Sequence, residues 1–270
     1  MIPKIAILGI DGSGKTSAIE KLRRHSRESG FALMRCPDFH LNGVSAISKL
    51  SEQLALLSQS ADEVKNSSLK FAALFLRMTL FGLAEKEIEN KHRNAKAIVQ
   101  ERHALLDAEV YTGLYTNLNA ATIDQALLGQ LTDTLSEKDG SAWASIQNWI
   151  DTENKRLGTQ LRLENITDYC RQLFDQGQAT YLKTMAQHFQ TSLPTRVIFL
   201  DVPVDEALRR IAMRNSTAEL HENKVFLTKL RNGYLKLFPT LHKNITVERL
   251  AVDTMPEGDV AQCIESAVLS

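Results

Sequence analysis

The sequence predicts an α/β chain: a five-stranded parallel sheet with helices on both faces, carrying a helical insertion. Three observations predict it. Short apolar runs alternate with segments of helical spacing, the first run ends in a glycine-rich turn that enters a helix, and the stretch 119–190 is helically patterned without a convincing strand.

The elements follow in order. Ile5-Ala6-Ile7-Leu8 is apolar throughout and ends at Gly9, as a strand buried on both faces should. Thr16 to Arg24 has Ala18, Ile19 and Leu22 on one side and predicts a helix. Ala32-Leu33-Met34 predicts a second strand, closed by Pro37 and Asp38. Asp62 to Lys91 reads as one long helix with Leu69, Ala72, Ala73, Leu76, Leu80 and Leu83 inward. Ala97-Ile98-Val99 predicts a third strand and Leu105 to Leu118 a helix. Val197-Ile198-Phe199-Leu200 is the clearest strand, and Pro203 then opens a helix, because proline suits a first turn. A polar stretch, Asn215 to Asn223, precedes a helix from Val225 to Leu237. Ile245 to Val252 supplies the last strand, and Pro256 starts the last helix. The reading divides the chain into a core, 1–118 and 191–270, and a helical insertion, 119–190. The insertion holds Trp143 and Trp149, which either fill a local core or line a pocket or dimer contact.

Composition narrows the function. A chain of 270 residues with 43% hydrophobic content can bury a sizeable core. Lys plus Arg and Asp plus Glu are equal at 32 each, so no basic excess marks a nucleic-acid surface, and the short basic run Lys91 to Lys96 reads as a solvated connection. Nucleic acid is therefore not an expected partner. Cys36, Cys170 and Cys263 have neither zinc nor redox-motif spacing, which fits a reducing, cytoplasmic setting. The N-terminus shows no signal-peptide pattern, and the apolar stretch Phe71 to Leu83 is interrupted by Arg77 and too short to span a bilayer. No membrane association is expected.

Gly9-Ile10-Asp11-Gly12-Ser13-Gly14-Lys15-Thr16 matches GxxxxGK[ST] at every fixed position, between a predicted strand and a predicted helix. This is a P-loop, the phosphate-binding turn of nucleoside triphosphatases and kinases. Its glycines let successive N–H groups turn inward as an anion nest, and the helix adds its positive end. Lys15 brings a mobile charge to the β- and γ-phosphates, and the Thr16 hydroxyl can ligate magnesium. The expected cofactors are ATP and Mg2+, and the expected partner is a small nucleotide or nucleoside. His103 lies beside Arg102, and the other histidines lack metal-ligand spacing.

With that turn, Arg35-Cys36-Pro37-Asp38, Glu101-Arg102-His103, Leu200-Asp201-Val202-Pro203 with Glu206-Ala207-Leu208-Arg209-Arg210 and Arg214, and Val252-Asp253, the chain resembles the thymidylate kinase family of nucleoside monophosphate kinases. The resemblance covers about the first 115 residues and the last 80. It implies roles. Asp11 would accept a hydrogen bond from the acceptor sugar, Arg35 and Arg102 would clamp the acceptor phosphate, and Glu101 would hold magnesium opposite Thr16. Arg210 and Arg214 would flank the donor under a closing lid. A homodimer is expected by resemblance only.

Departures keep a second acceptor class open. Glu101 stands where the family has Asp, as in the Glu-Arg-Ser motif of deoxyribonucleoside kinases, and Asp107 resembles an aspartate those enzymes place near the base. A nucleoside acceptor must lose a hydroxyl proton, and Asp38 is the candidate base, although Cys36 replaces the glutamate of nucleoside kinases. The lid candidate, Asn215 to Asn223, has no arginine and Ala212 occupies an often basic place, so a catalytically weak, regulatory nucleotide binder is the third reading. For the base, Phe75 and Arg77 are the nearest candidates for stacking and bonding, with core and surface roles as the alternatives. Tyr111 either closes the base pocket or packs.

Overall fold

Five apolar runs form the strands: β1 (Lys4–Leu8), β2 (Phe31–Arg35), β3 (Ala97–Glu101), β4 (Arg196–Asp201) and β5 (Thr246–Ala251). The computed structural model describes residues 2–115, 123–213, 223–255 and 257–269. All neighbouring strands pair in parallel, in the order β2-β3-β1-β4-β5. β3 is buried along its whole length, which its unbroken apolar start requires, while the edge strand β5 is largely accessible. Parallel pairing puts Leu8, Arg35, Glu101 and Asp201 at one edge of the sheet. The connections after β1 and β4, which are neighbours, leave in opposite directions. Right-handed crossovers running opposite ways place helices on both faces, and the crevice between such strands is where open α/β sheets bind ligands.

In chain order the helices are α1 (Lys15–Ser29), α2 (Ser48–Glu63), α3 (Ser67–Met78), α4 (Phe81–Lys91), α5 (Ala104–Tyr115), α6 (Gln125–Lys138), α7 (Ala142–Leu157), α8 (Ile166–Phe174), α9 (Gln178–Phe189), α10 (Val204–Ala212), α11 (Lys224–Leu237) and α12 (Glu257–Leu269). Two compact units result. The sheet unit comprises 1–36, 85–103 and 193–270, and the helical unit comprises Pro37–Ala84 with Ala104–Ser192. The described part of 119–190 contains α6 to α9 and no strand, and it falls in one unit with α2, α3 and α5.

The single helix expected over Asp62–Lys91 is instead the end of α2, then α3, then α4, with a local reason at the first break. Lys65 takes a left-handed φ of 54°, and the Asn66 side chain accepts the Leu69 N–H at 2.9 Å, capping a new helix. At the second break the Thr79 hydroxyl donates back to the Leu76 carbonyl at 2.6 Å and accepts the Trp149 indole N–H at 2.7 Å. Gly82 lets the backbone of Gln190 approach, since a Cβ there would lie 2.3 Å from the Gln190 carbonyl oxygen. Trp149 is thus tied into helix packing, half-buried like Trp143. The stretch 39–61, to which the sequence reading assigns no element, holds most of α2, with Leu54, Leu57 and Ala61 buried on one face. The helix expected over Leu105–Leu118 is described as Ala104–Tyr115, and 116–118 lie outside the described residues. Ser67–Lys91 is long and apolar enough to cross a bilayer, but 78% of its apolar window is buried inside the protein.

Candidate active site

The glycine-rich turn leaves the end of β1 and enters α1 with its chain direction fixed by two short bonds. The Ser13 N–H donates to the Ile10 carbonyl at 3.1 Å, and the Ala18 N–H donates to the Gly14 carbonyl at 2.9 Å. Gly12 has φ 79°, and a Cβ on it would sit 2.5 Å from the Ala207 carbonyl oxygen, so α10 closes directly on the loop. Gly14 has φ 91° with open space beside it. Lys15 folds back into the turn. Its Nζ donates to the carbonyls of Gly9 and Ile10 at 2.9 Å each, and the residue is 5% exposed. The ammonium is therefore held at the nest by backbone carbonyls that a phosphate can replace.

Two elements meet beside it. Thr16, in the first turn of α1, donates its hydroxyl to Glu101 Oε1 at 2.5 Å from the end of β3. Strand register sets Arg35 opposite Glu101, and Arg35 Nε donates to Glu101 Oε2 at 3.4 Å. Both oxygens of Glu101 are thus engaged, one by a hydroxyl and one by a guanidinium. A hydroxyl and a carboxylate, with no cluster of three or more His, Cys, Asp or Glu side chains among the described residues, form the oxygen donor set that suits magnesium when phosphates complete its shell.

Arg102 follows Glu101 with a left-handed φ of 67°, a conformation costly for a side chain with a Cβ. Its N–H donates to the Ile7 carbonyl at 2.9 Å, which pins the turn against β1. Its guanidinium donates to Asp11 Oδ1 at 2.5 Å, and Asp11 in turn lies 4.0 Å from Lys15 Nζ. The structure so brings Asp11, Lys15, Thr16, Arg35, Glu101 and Arg102 together at one end of the sheet unit.

Arg210 is held elsewhere. Its Nε donates to Glu206 Oε1 at 2.7 Å and a terminal nitrogen donates to the Val252 carbonyl at 3.0 Å. Hydrogen bonds from Arg209 and Arg210 hold the Glu206 carboxyl down at about 2. Arg214 and residues 215–222 of the lid candidate lie outside the described residues.

The helical unit holds the other candidates. Arg77 donates to Asp38 Oδ1 at 2.5 Å, joining the start of this unit to α3. Phe75 takes the core role that the sequence left open. It is 5% exposed, with its ring 5.3 Å from His188 and 5.6 Å from Phe189, so it fills the helical core instead of offering a face to a base. Asp107 is buried in α5, and Tyr111 is buried with its ring stacked on Tyr115 at 6.3 Å.

Sequence reasoning gives no role to Asp201, which the structure makes a hub. Arg231 donates to both its oxygens at 2.6 and 3.0 Å, and Arg249 Nε donates to Oδ2 at 2.6 Å, tying α11 and β5 to the end of β4. Burial pushes the Asp201 carboxyl up, but the two guanidinium groups outweigh it and hold it below the usual range. Its place within Leu200-Asp201-Val202-Pro203 was the available signal; its partners, 30 and 48 residues away, were not.

No family profile matches the chain. A probable thymidylate kinase of Methanosphaera stadtmanae is 25% identical over 258 residues, covering 96% of this chain and 92% of its own length. The solved thymidylate kinase of Candida albicans superposes with a TM-score of 0.54 at 13% identity, over 99% of this chain and 91% of that one. These comparisons support the resemblance read from the motifs, the second through the fold alone.

Proposed function

We propose that this chain is an ATP-dependent nucleoside monophosphate kinase of the thymidylate kinase type. The observation that carries the proposal is the convergence of Lys15, Thr16, Glu101, Arg35 and Arg102 around one P-loop, two cations beyond the lysine being arginines with forks suited to a second phosphate. The full-length kinship with a probable thymidylate kinase supports it.

The geometry suggests how the residues act. A triphosphate entering the turn offers oxygens that draw Lys15 away from the Gly9 and Ile10 carbonyls, and the loop amides take the β-phosphate. Thr16 and Glu101 would hold Mg2+, which would supply positive charge to offset the charge on the phosphates. Arg102 leaves Asp11 to grip the acceptor phosphate, and Asp11 becomes an acceptor for a substrate hydroxyl. A bond then forms between an acceptor phosphate oxygen and the γ-phosphorus as its bond to the bridging oxygen breaks, giving ADP and a nucleoside diphosphate.

A monophosphate acceptor is favoured over a nucleoside, because a phosphate needs no base whereas a nucleoside hydroxyl must lose a proton, and Cys36 stands where nucleoside kinases carry a glutamate. Cys36 and Cys170 are buried and form no disulfide, in keeping with a reducing, cytoplasmic setting.

The test is a panel of nucleoside monophosphates and nucleosides incubated with ATP and Mg2+, with ADP and the phosphorylated acceptor both quantified. Diphosphate products with at least one monophosphate are expected. Products with nucleosides alone, or none despite tight ATP binding, would remove the reading.

A further inference from the structure

We infer that Glu20, on α1, is a positioning residue for Arg35, and so a determinant of acceptor binding; the inference rests on the kinase reading above. Glu20 lies one helical turn beyond Thr16, so the two share a face of α1. Arg35 and Glu101 are opposite one another in the parallel register of β2 and β3. These two facts of secondary structure set four side chains in a line. Thr16 donates to Glu101 Oε1 at 2.5 Å, Arg35 Nε donates to Glu101 Oε2 at 3.4 Å, and the far end of the Arg35 guanidinium donates to Glu20 Oε1 at 3.0 Å.

The consequence is geometric. A guanidinium is planar, and two anchored donors at different nitrogens fix its plane. Glu101 holds Arg35 at Nε by a bond of 3.4 Å, and Glu20 adds a shorter anchor at a terminal nitrogen. Glu20 also divides the charge of Arg35 between two carboxylates. Losing Glu20 removes one carboxylate anchor and would let the guanidinium draw closer to Glu101, the group that Thr16 shares and that would hold the metal.

Glu20 is 55% exposed at its side chain, so the pair adds little to stability and its loss does not threaten the fold. What it governs is where Arg35 points. A monophosphate needs that fork presented; the donor nucleotide does not.

The experiment is steady-state kinetics on the intact chain carrying Glu20→Gln, Glu20→Asp or Glu20→Lys, with MgATP binding measured separately by calorimetry. Glu20→Gln should raise the KM for the best monophosphate about five-fold, with kcat and the Kd for MgATP within about two-fold of the parent. Glu20→Asp should recover most of that loss, because the carboxylate returns, and Glu20→Lys should exceed it. An unchanged acceptor KM in Glu20→Gln, or an equal loss of MgATP affinity, would overturn the assignment. A parent chain that phosphorylates no monophosphate would instead sink the kinase reading, and Glu20's role with it.

Discussion

Arg102 donates to Asp11 across the mouth of the P-loop while its own backbone sits at φ 67°, so the arginine and the loop aspartate neutralise each other. A strained backbone at the end of a buried strand persists only when its surroundings over-determine it, and the N–H bond to Ile7 is one such constraint. Arg102→Lys keeps the charge and loses the fork. It should lower kcat/KM for the monophosphate by about a hundred-fold while MgATP affinity changes little, as single-turnover and binding measurements would report. A larger loss in ATP binding than in acceptor use would misplace Arg102.

Lys15→Ala removes the charge that the loop stores on its own carbonyls. Phosphoryl transfer should fall by at least about a hundred-fold, since a preorganised cation at the transferred group is lost. Full activity in Lys15→Ala would contradict the role given to the P-loop.

The two glycines of the loop should respond differently to a methyl group. Gly12→Ala meets the Ala207 backbone at 2.5 Å as well as a disfavoured φ, while Gly14→Ala meets the φ cost alone. Gly14→Ala should cost about 1–2 kcal/mol of stability in urea unfolding and Gly12→Ala clearly more, because backbone cannot swing aside. Equal costs would mean that α10 does not close on the loop.

Asp38 separates the two acceptor classes. If it were a general base, Asp38→Asn would lose about a hundred-fold or more in kcat. Engaged by Arg77 and with a phosphate as nucleophile, it should lose less than about ten-fold.

Two groups of the helical unit make opposite contributions with pH. Burial raises the Glu109 carboxyl from 4.5 to about 7, so its contribution is full below the ordinary value and is lost as pH rises through about 7. Burial, with Arg156 nearby, lowers the His188 imidazole from 6.5 to about 4, so its contribution is full above the ordinary value and is lost as pH falls through about 4. Between 4.5 and 6.5 the two slopes oppose each other. Glu109→Gln should therefore expose a stability that climbs from pH 4.5 to 6.5, read from urea midpoints across pH. A flat profile in that variant would show that His188 titrates normally.

Much of the architecture was legible because it is written locally. Apolar runs such as Val197-Ile198-Phe199-Leu200 announce buried strands, and the spacing from Gly9 to Thr16 announces a phosphate nest, since each depends on neighbours a few residues away. The breaks around Asn66 and Gly82 were harder to see. The first turns on a cap that competes with an equally plausible helix, and the second on a contact with Gln190, more than a hundred positions along. Phe75 shows the same limit, for nothing in its own helix says that His188 and Phe189 will close over it.

The sequence by itself determined the strand-and-helix alternation, the P-loop and the residue types beside it, because backbone conformation and phosphate chemistry act over short spans of chain. Only the tertiary structure decided which charges meet: Arg102 with Asp11, Arg77 with Asp38, Arg35 with both Glu20 and Glu101, and Asp201 with Arg231 and Arg249. Ion pairs form by distance in space, and parallel register and helix packing, not sequence separation, set those distances.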